Sequence, residues 1–344
     1  MERRLTRLWY RPRGGPSLLQ PLAWVYGAGM RARGCAYGMG WLRVVPSPKP
    51  VVVVGNLTVG GTGKTPLTVW LAEQLRDSGL RPGIVTRGYG RREASAQPRF
   101  VRAGSRWEEV GDEPLLLSRR TGCPTVVAAD RVAAARRLGS EPIDVILSDD
   151  GLQHLRLARV CEIAVIDGAR GFGNGRLLPA GPLREPASRL DRVDLVVLNG
   201  SADHASLAPP GFARPVLRMS LIAGRARRVD GSPAERPIED FREGPVHAVA
   251  GIGHPERFFR ELETHGLEVS RVAFPDHHPF TARDLAFSDD RPILMTEKDA
   301  VRCAAFATAR MWYVPVSARF DAADADALVA EVRRRVDAFR PPTL

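Results

Sequence analysis

Six consecutive residues, Gly60-Gly61-Thr62-Gly63-Lys64-Thr65, carry the clearest chemistry in this chain. Glycines let backbone N–H groups turn inward around phosphate oxygens, and a following helix adds the partial positive charge of its N-terminus. A lysine at this place reaches the β- and γ-phosphates of a nucleotide, and the next hydroxyl suits Mg²⁺. The valine run 51–54 just before is β-branched throughout and too short for a helix, which predicts a buried strand. Residues 65–78 carry helical spacing through Leu67, Trp70, Leu71 and Leu75. Strand, glycine loop and helix together are P-loop context. The strict pattern has glycine six residues before the lysine, where this chain has Thr58 followed by Val59. The expected phosphate-binding set is therefore Thr58, Val59, Gly60, Gly61, Thr62, Gly63, Lys64 and Thr65.

A nucleotide site of this kind needs an acid at the end of a second strand. Residues 144–150, DVILSDD, supply Asp149 and Asp150. With Thr65 they form the expected metal-facing set, the alternative being that both aspartates only cap a loop. Gln153 and His154 follow at once, in the region where open α/β sheets bind ligands beyond their strand ends. Two P-loop classes fit poorly. Guanine recognition would show N-K-x-D, whereas Asn199 is followed by Gly-Ser-Ala-Asp203 with no lysine. The partitioning ATPases carry a lysine where this chain has Val59. A phosphotransferase remains, and it requires an acceptor site and a base.

The elements that must position these groups alternate strand with helix. Strands are expected at 83–86, 125–128, 144–148, 162–166 and 194–198, and helices at 113–120 and 131–138. The predicted fold is α/β: a P-loop NTPase-type parallel sheet with helices on both faces, a smaller C-terminal α/β domain and an N-terminal membrane-associating helical segment. The expected divisions are 1–46, 47–214, a two-stranded linker at 215–232, and 233–344, the last ending in a helix near 323–339. Long loops at 88–110 and 168–190 are rich in Gly, Arg and Pro, and loops of that length are commonly functional.

Composition is consistent with a soluble core and an anionic partner. The 344 residues are 44% apolar, and 50 basic residues against 39 acids leave a net charge of +11. Such a surface favours nucleic acid, anionic membrane or phosphorylated substrates, and an Arg-favouring genome gives the same excess. Cys35, Cys123, Cys161 and Cys303 are far apart, which predicts a reduced compartment without a zinc site or disulfide framework. Residues 14–30 carry no charge but are short for a membrane span, which needs roughly 20 apolar residues. Trp24, Val25, Tyr26, Tyr37 and Trp41, flanked by Arg3, Arg4, Arg7, Arg11, Arg13, Arg31, Arg33 and Arg43, suit an amphipathic anchor on anionic lipid. The alternative is a helical hairpin packed on the protein's own core.

The stretches VVVVGNLTVGGTGKTP, VTRGYGR, GDEP, SDDGLQH, GNGRLLPAGPLREP, GIGHPERFF, FPDHHPF and MTEKDAVR occur in this order. Together they resemble the tetraacyldisaccharide 4′-kinase family, the lipid A 4′-kinases of Gram-negative envelopes, from the basic N-terminus to about residue 316. The resemblance implies an ATP- and Mg²⁺-dependent kinase on the cytoplasmic face of the inner membrane. Its acceptor would be the 4′-hydroxyl of a tetraacylated glucosamine disaccharide 1-phosphate, with no nucleic acid and no obligate protein partner. It also implies a C-terminal domain that closes over the P-loop domain and an N-terminal helix that meets the bilayer. Thr58 agrees with the family, which has Ser or Thr there. His254 departs from it, because the family usually carries Asn.

Within that frame Asp112 is the candidate base, since a nearby carboxylate can take the acceptor's proton late in transfer. An acid at a helix start is also a good N-cap, so that reading stays open. His277 is the candidate to orient Asp112. Arg184 suits transferring charge, and Glu185 suits assistance to the metal. Arg87 and Tyr89, with Gln153 and His154, are candidates for acceptor binding. Glu297, Lys298 and Asp299 are expected to serve closure or nucleotide contact. The competing reading is a basic P-loop ATPase acting on another anionic partner such as nucleic acid, but no zinc spacing or nucleic-acid-binding motif supports it.

Overall fold

The computed structural model describes residues 8–10, 17–89, 91, 97–201 and 215–341. Arg3, Arg4, Arg7, Arg11 and Arg13 lie outside them. In chain order the elements are α1 (Gln20–Gly38), β1 (Val51–Gly55), α2 (Lys64–Asp77), β2 (Pro82–Thr86), β3 (Arg99–Phe100), α3 (Trp107–Val110), α4 (Asp112–Thr121), β4 (Thr125–Val127), α5 (Arg131–Leu138), β5 (Val145–Asp149), β6 (Cys161–Asp167), β7 (Leu195–Asn199) and β8 (Val216–Ala223). There follow β9 (Ala226–Arg228), β10 (Glu235–Arg236), β11 (Val246–Ala250), α6 (Pro255–Thr264), β12 (Val269–Ala273), β13 (Ile293–Thr296), α7 (Glu297–Cys303), β14 (Met311–Val314), β15 (Val316–Phe320) and α8 (Ala322–Asp337).

These strands build two sheets. The first has the order β15-β8-β7-β6-β1-β5-β2-β4-β3. Its strands from β8 to β4 are parallel, and only the edge strands β15 and β3 run antiparallel. The four valines of β1 are buried because the sheet is covered on both faces. Val52 and Val54 pack with Leu67, Leu71 and Leu75 of α2 and with Leu328 and Val332 of α8. Val51 and Val53 point the other way, toward Val132, Ala134 and Leu138 of α5. Period-two alternation thus supplies both cores from one apolar run. The second sheet, β10-β9-β14-β13-β11-β12, has its own core around Phe241, Phe259, Leu294 and Trp312.

The chain passes between the sheets twice. β8 closes the first sheet and β9 opens the second, so the segment expected as a separate linker at 215–232 is shared between them. The return runs from β14 to β15 through Pro315, and the Gly224 amide donates to the Pro315 carbonyl at 2.8 Å where the two crossings lie side by side. β15 and α8 therefore belong to the first sheet, not to the smaller C-terminal domain expected for 233–344. Arg333 of α8 donates to the Ser78 carbonyl at 3.0 Å, and Arg335 pairs with Asp194 at 2.9 Å. The 88–110 stretch, read as a loop, contains β3 and α3.

Candidate active site

The glycine loop leaves β1 and enters α2 at Lys64. Gly63 is the residue before the helix and has φ 98°. A Cβ there would lie 2.6 Å from Nδ2 of Asn199, the amide that donates to the Thr62 carbonyl at 2.9 Å. Only glycine meets both demands, a left-handed backbone and close approach. Lys64 Nζ donates to Asn56 Oδ1 at 3.2 Å and pairs with Asp150 at 3.5 Å. Thr62 is buried, and its hydroxyl has no hydrogen-bond partner. Arg170, held by Asp167 at 2.8 Å, reaches across the loop to the Gly61 carbonyl.

β5 delivers Asp149 and Asp150 beside this loop. Asp149 is buried and accepts from Thr68 Oγ1 at 3.1 Å. Burial, reinforced by Glu113 and partly offset by Lys64, pushes its carboxyl up to about 7. Asp150 has φ 51°, uncommon for a non-glycine residue, and Arg184 Nη1 contacts both its oxygens at 3.0 and 3.1 Å. Burial opposes its charge, but Lys64 and Arg184 outweigh that and hold its carboxyl well below the usual range.

Glu185 is placed differently from the aspartates' own partners. Its Oε1 accepts from Gln153 Nε2 at 2.8 Å, and its other oxygen pairs with Arg189 at 3.4 Å. No group of three or more His, Cys, Asp or Glu side chains among the described residues forms a ready metal cluster. The donors offered by Thr65, Asp149, Asp150 and Glu185 are all oxygen, which fits Mg²⁺. That ion usually binds through one or two carboxylates plus phosphate oxygens and water.

Asp112 is the first residue of α4 and is only 2% exposed. Gly111 stands before it at φ 96°, and no side chain caps the helix. Asp112 Oδ1 accepts from the Glu113 amide at 2.8 Å, while Oδ2 lies 3.0 Å from His277 Nδ1 and 3.6 Å from Arg302 Nη1. Burial alone would raise this carboxyl. Lys298, His277 and Arg302 more than offset it and hold it at about 2, so Asp112 is ionised at neutral pH. His277 comes from the second unit and also has positive φ, 56°. Its amide donates to the Gly251 carbonyl at 3.2 Å, and the exposed Tyr89 ring packs edge-on against it at 4.9 Å.

Sequence reasoning missed how the second unit reaches Asp112. Arg302 donates to the Gly251 carbonyl at 3.0 Å and pairs with Asp299, which accepts from the Gly251 amide at 3.1 Å. Lys298 Nζ lies 3.0 Å from Glu113, 3.2 Å from His277 Nε2 and 3.5 Å from Asp276. Glu297 pairs with Arg120 of α4 at 2.9 Å. The stretches GIGH, FPDHH and TEKDA thus meet around one carboxylate of the first unit. His254 precedes α6 and is partly buried, with Nδ1 lacking a hydrogen-bond partner.

A cavity of about 350 Å³ opens beside Gln153 and His154, lined by Arg33, Tyr37, Asp130, Arg131, His154 and Arg156. Burial, then Arg131 and Arg87, lower the His154 imidazole to about 4. Arg87 itself is exposed. α1 is tied to this side of the site: Tyr26 donates to the Arg184 carbonyl at 2.9 Å and Arg33 to the Gln153 carbonyl at 3.1 Å. Trp24 and Val25 of α1, and Leu18 just before it, are exposed at 67%, 72% and 86%.

A doubly covered α/β sheet with a lysine-bearing glycine loop at a helix start, acids at the end of a neighbouring strand and a buried, ionised carboxylate paired with a histidine points to a kinase-type protein. The similarities are specific. The family model for tetraacyldisaccharide-1-P 4′-kinase, LpxK, matches residues 16–335, and the chain belongs to that family. It is 54% identical over 318 residues to a tetraacyldisaccharide 4′-kinase of Alkalilimnicola ehrlichii, covering 92% of each chain. It is 49% identical to that of Aeromonas hydrophila, covering 94% of this chain and 95% of the relative. A solved structure of LpxK from Aquifex aeolicus, described as an "apo" form in complex with ATP, superposes with TM-score 0.78 at 28% identity over 93% of this chain and 99% of that one.

Proposed function

We propose that this protein transfers the γ-phosphoryl group of ATP to the 4′-hydroxyl of a tetraacylated glucosamine disaccharide 1-phosphate, a step of lipid A biosynthesis. The observation that carries the reading is the Asp112–His277 pair, 3.0 Å apart and contributed by the two units. It supplies an ionised acceptor for a proton in a protein that also carries a loop suited to a triphosphate.

Residues 58–65 hold the triphosphate through backbone N–H groups, and Lys64 and Arg184 exchange Asp150 for phosphate oxygens. Thr65, Asp149 and Asp150 would hold Mg²⁺, with Glu185 kept near by Gln153. When bound, the ion neutralises charge on the transferring oxygens. Asp112 Oδ2 receives the hydroxyl proton as the new P–O bond forms, and His277 holds that oxygen in place. A proton acceptor held at about 2 is weakly basic, so the transfer comes late, when the attacking oxygen has already become acidic. Arg87, Tyr89, Gln153 and His154 contact the acceptor.

The exposed apolar side of α1 supports docking on the cytoplasmic face of the inner membrane. No helix among the described residues is long and apolar enough to cross a membrane. A lipid surface accounts for Leu18, Trp24 and Val25 in water contact better than a nucleic-acid partner does. The test is transfer of labelled phosphate from ATP to the detergent-dispersed disaccharide, with Mg²⁺ present and absent.

A further inference from the structure

Lys298 sits where arginine would be the chain's usual choice. Lys49, Lys64 and Lys298 are the lysines of this sequence, and every other side chain among its 50 basic residues of this kind is arginine. One of the three is in the glycine loop. Another stands behind the candidate base. Lys298 is mostly buried, its side chain 17% exposed, and touches Glu113 at 3.0 Å, His277 Nε2 at 3.2 Å and Asp276 at 3.5 Å. A compact ammonium turns its three donors freely toward partners converging from different directions, whereas a guanidinium holds its donors fixed in one plane.

The contact with His277 has a chemical consequence. An ammonium has donors only, so Nε2 facing it must accept. A neutral imidazole with Nε2 as acceptor carries its proton on Nδ1, the nitrogen 3.0 Å from Asp112 Oδ2. The opposite tautomer would set an N–H against the ammonium and a lone pair against the Asp112 carboxylate, both repulsive; Asp276 Oδ1, 3.8 Å from Nε2, stands beyond hydrogen-bond reach while the ammonium is at 3.2 Å. We propose that Lys298 is a positioning residue that fixes His277 in the Nδ1–H tautomer, and through it the orientation of Asp112 for proton transfer. This rests on the functional reading above for its catalytic meaning, though not for its geometry. Lys298 and His277 both come from the second unit and Asp112 from the first. The relay is therefore assembled only when the two units are apposed.

The test uses full-length protein in detergent, ¹⁵N-labelled at histidine, with His277 assigned through its loss in His277→Gln. The wild type should show His277 with a protonated Nδ1 and an unprotonated Nε2. Lys298→Met should lose that pattern and lower kcat on the order of 10²-fold, the scale of a displaced catalytic group. KM for ATP should stay unchanged. Lys298→Arg, which keeps a donor, should retain the Nδ1–H pattern and recover at least a tenth of kcat. A wild-type His277 protonated on Nε2 overturns the proposal even if no variant folds. So does a folded Lys298→Met with kcat within threefold of wild type, or equal losses in the Met and Arg variants. Wild-type protein that transfers no phosphate to the disaccharide defeats the functional reading instead, and leaves the tautomer result standing.

Discussion

Asp112 Oδ2 lies 3.0 Å from His277 Nδ1, and the two residues belong to different sheets' units. Asp112 opens α4 beside the nine-stranded sheet, whereas His277 lies in the loop after β12 of the six-stranded one. Their meeting joins a carboxylate with no exposed surface to spare to a histidine in an uncommon backbone conformation. Positive φ in a non-glycine residue costs energy that surrounding contacts must offset, and such residues gather at functional sites.

Replacing Asp112 by Asn keeps the shape and removes the proton acceptor. The expected loss in kcat is about 10²- to 10⁴-fold, the usual worth of general-base catalysis, with KM for ATP unchanged. Steady-state kinetics at saturating acceptor give the answer. A rise in KM for ATP with kcat intact would place Asp112 in nucleotide binding instead.

The same carboxyl predicts a stability profile. Its folded value of about 2 lies below the ordinary aspartate value of 3.8, so the unfolded chain binds the proton more tightly. The stabilisation is complete above about pH 4 and is lost as pH falls toward 2, amounting to about 2 kcal/mol. Urea unfolding of wild type and Asp112→Asn should differ by a constant amount from pH 7 to 5 and converge below 4. A difference that grows on acidification would have the wrong sign.

Gly63→Ala tests the loop. Its Cβ would meet Asn199 Nδ2 at 2.6 Å in a left-handed backbone. The loop must shift, and titration calorimetry should show at least a tenfold weaker affinity for ATP with Mg²⁺, while circular dichroism stays that of the wild type. Unaltered affinity would mean that the loop conformation is not the one that binds.

On α1, Trp24 and Val25 face outward while Tyr26 holds Arg184. Trp24→Ser with Val25→Ser should reduce partition onto anionic vesicles by tenfold or more, since burying each such side chain is worth about 1.5–3 kcal/mol. Turnover of detergent-dispersed acceptor should hold. Vesicle flotation is the measurement, and equal partition of variant and wild type would count against docking through this face.

The glycine loop, the acids at the end of β5 and the alternation of strand and helix were legible because each is local: fixed spacing and β-branched runs act over a few residues. The meeting of Lys298 and Arg302 with Asp112 was not, because nothing in TEKDAVR indicates which carboxylate it will face. Nor was the return of β15 and α8 to the first sheet, since their apolar pattern would serve either sheet equally. On the N-cap alternative, Gly111 and not Asp112 stands at the cap position, and the Asp112 carboxylate divides its oxygens between the Glu113 amide of the first turn and His277. Thr68 under Asp149 and Asn56 beside Lys64 are likewise tertiary neighbours that only the folded chain brings together.

The most direct test of the central claim is a single assay: ³²P transfer from ATP to detergent-dispersed tetraacyldisaccharide 1-phosphate by wild type and Asp112→Ala. The wild type should label the 4′ position in a Mg²⁺-dependent way, and Asp112→Ala should lose nearly all labelling while still binding ATP. Near-normal labelling by Asp112→Ala, or none by the wild type, would contradict the claim.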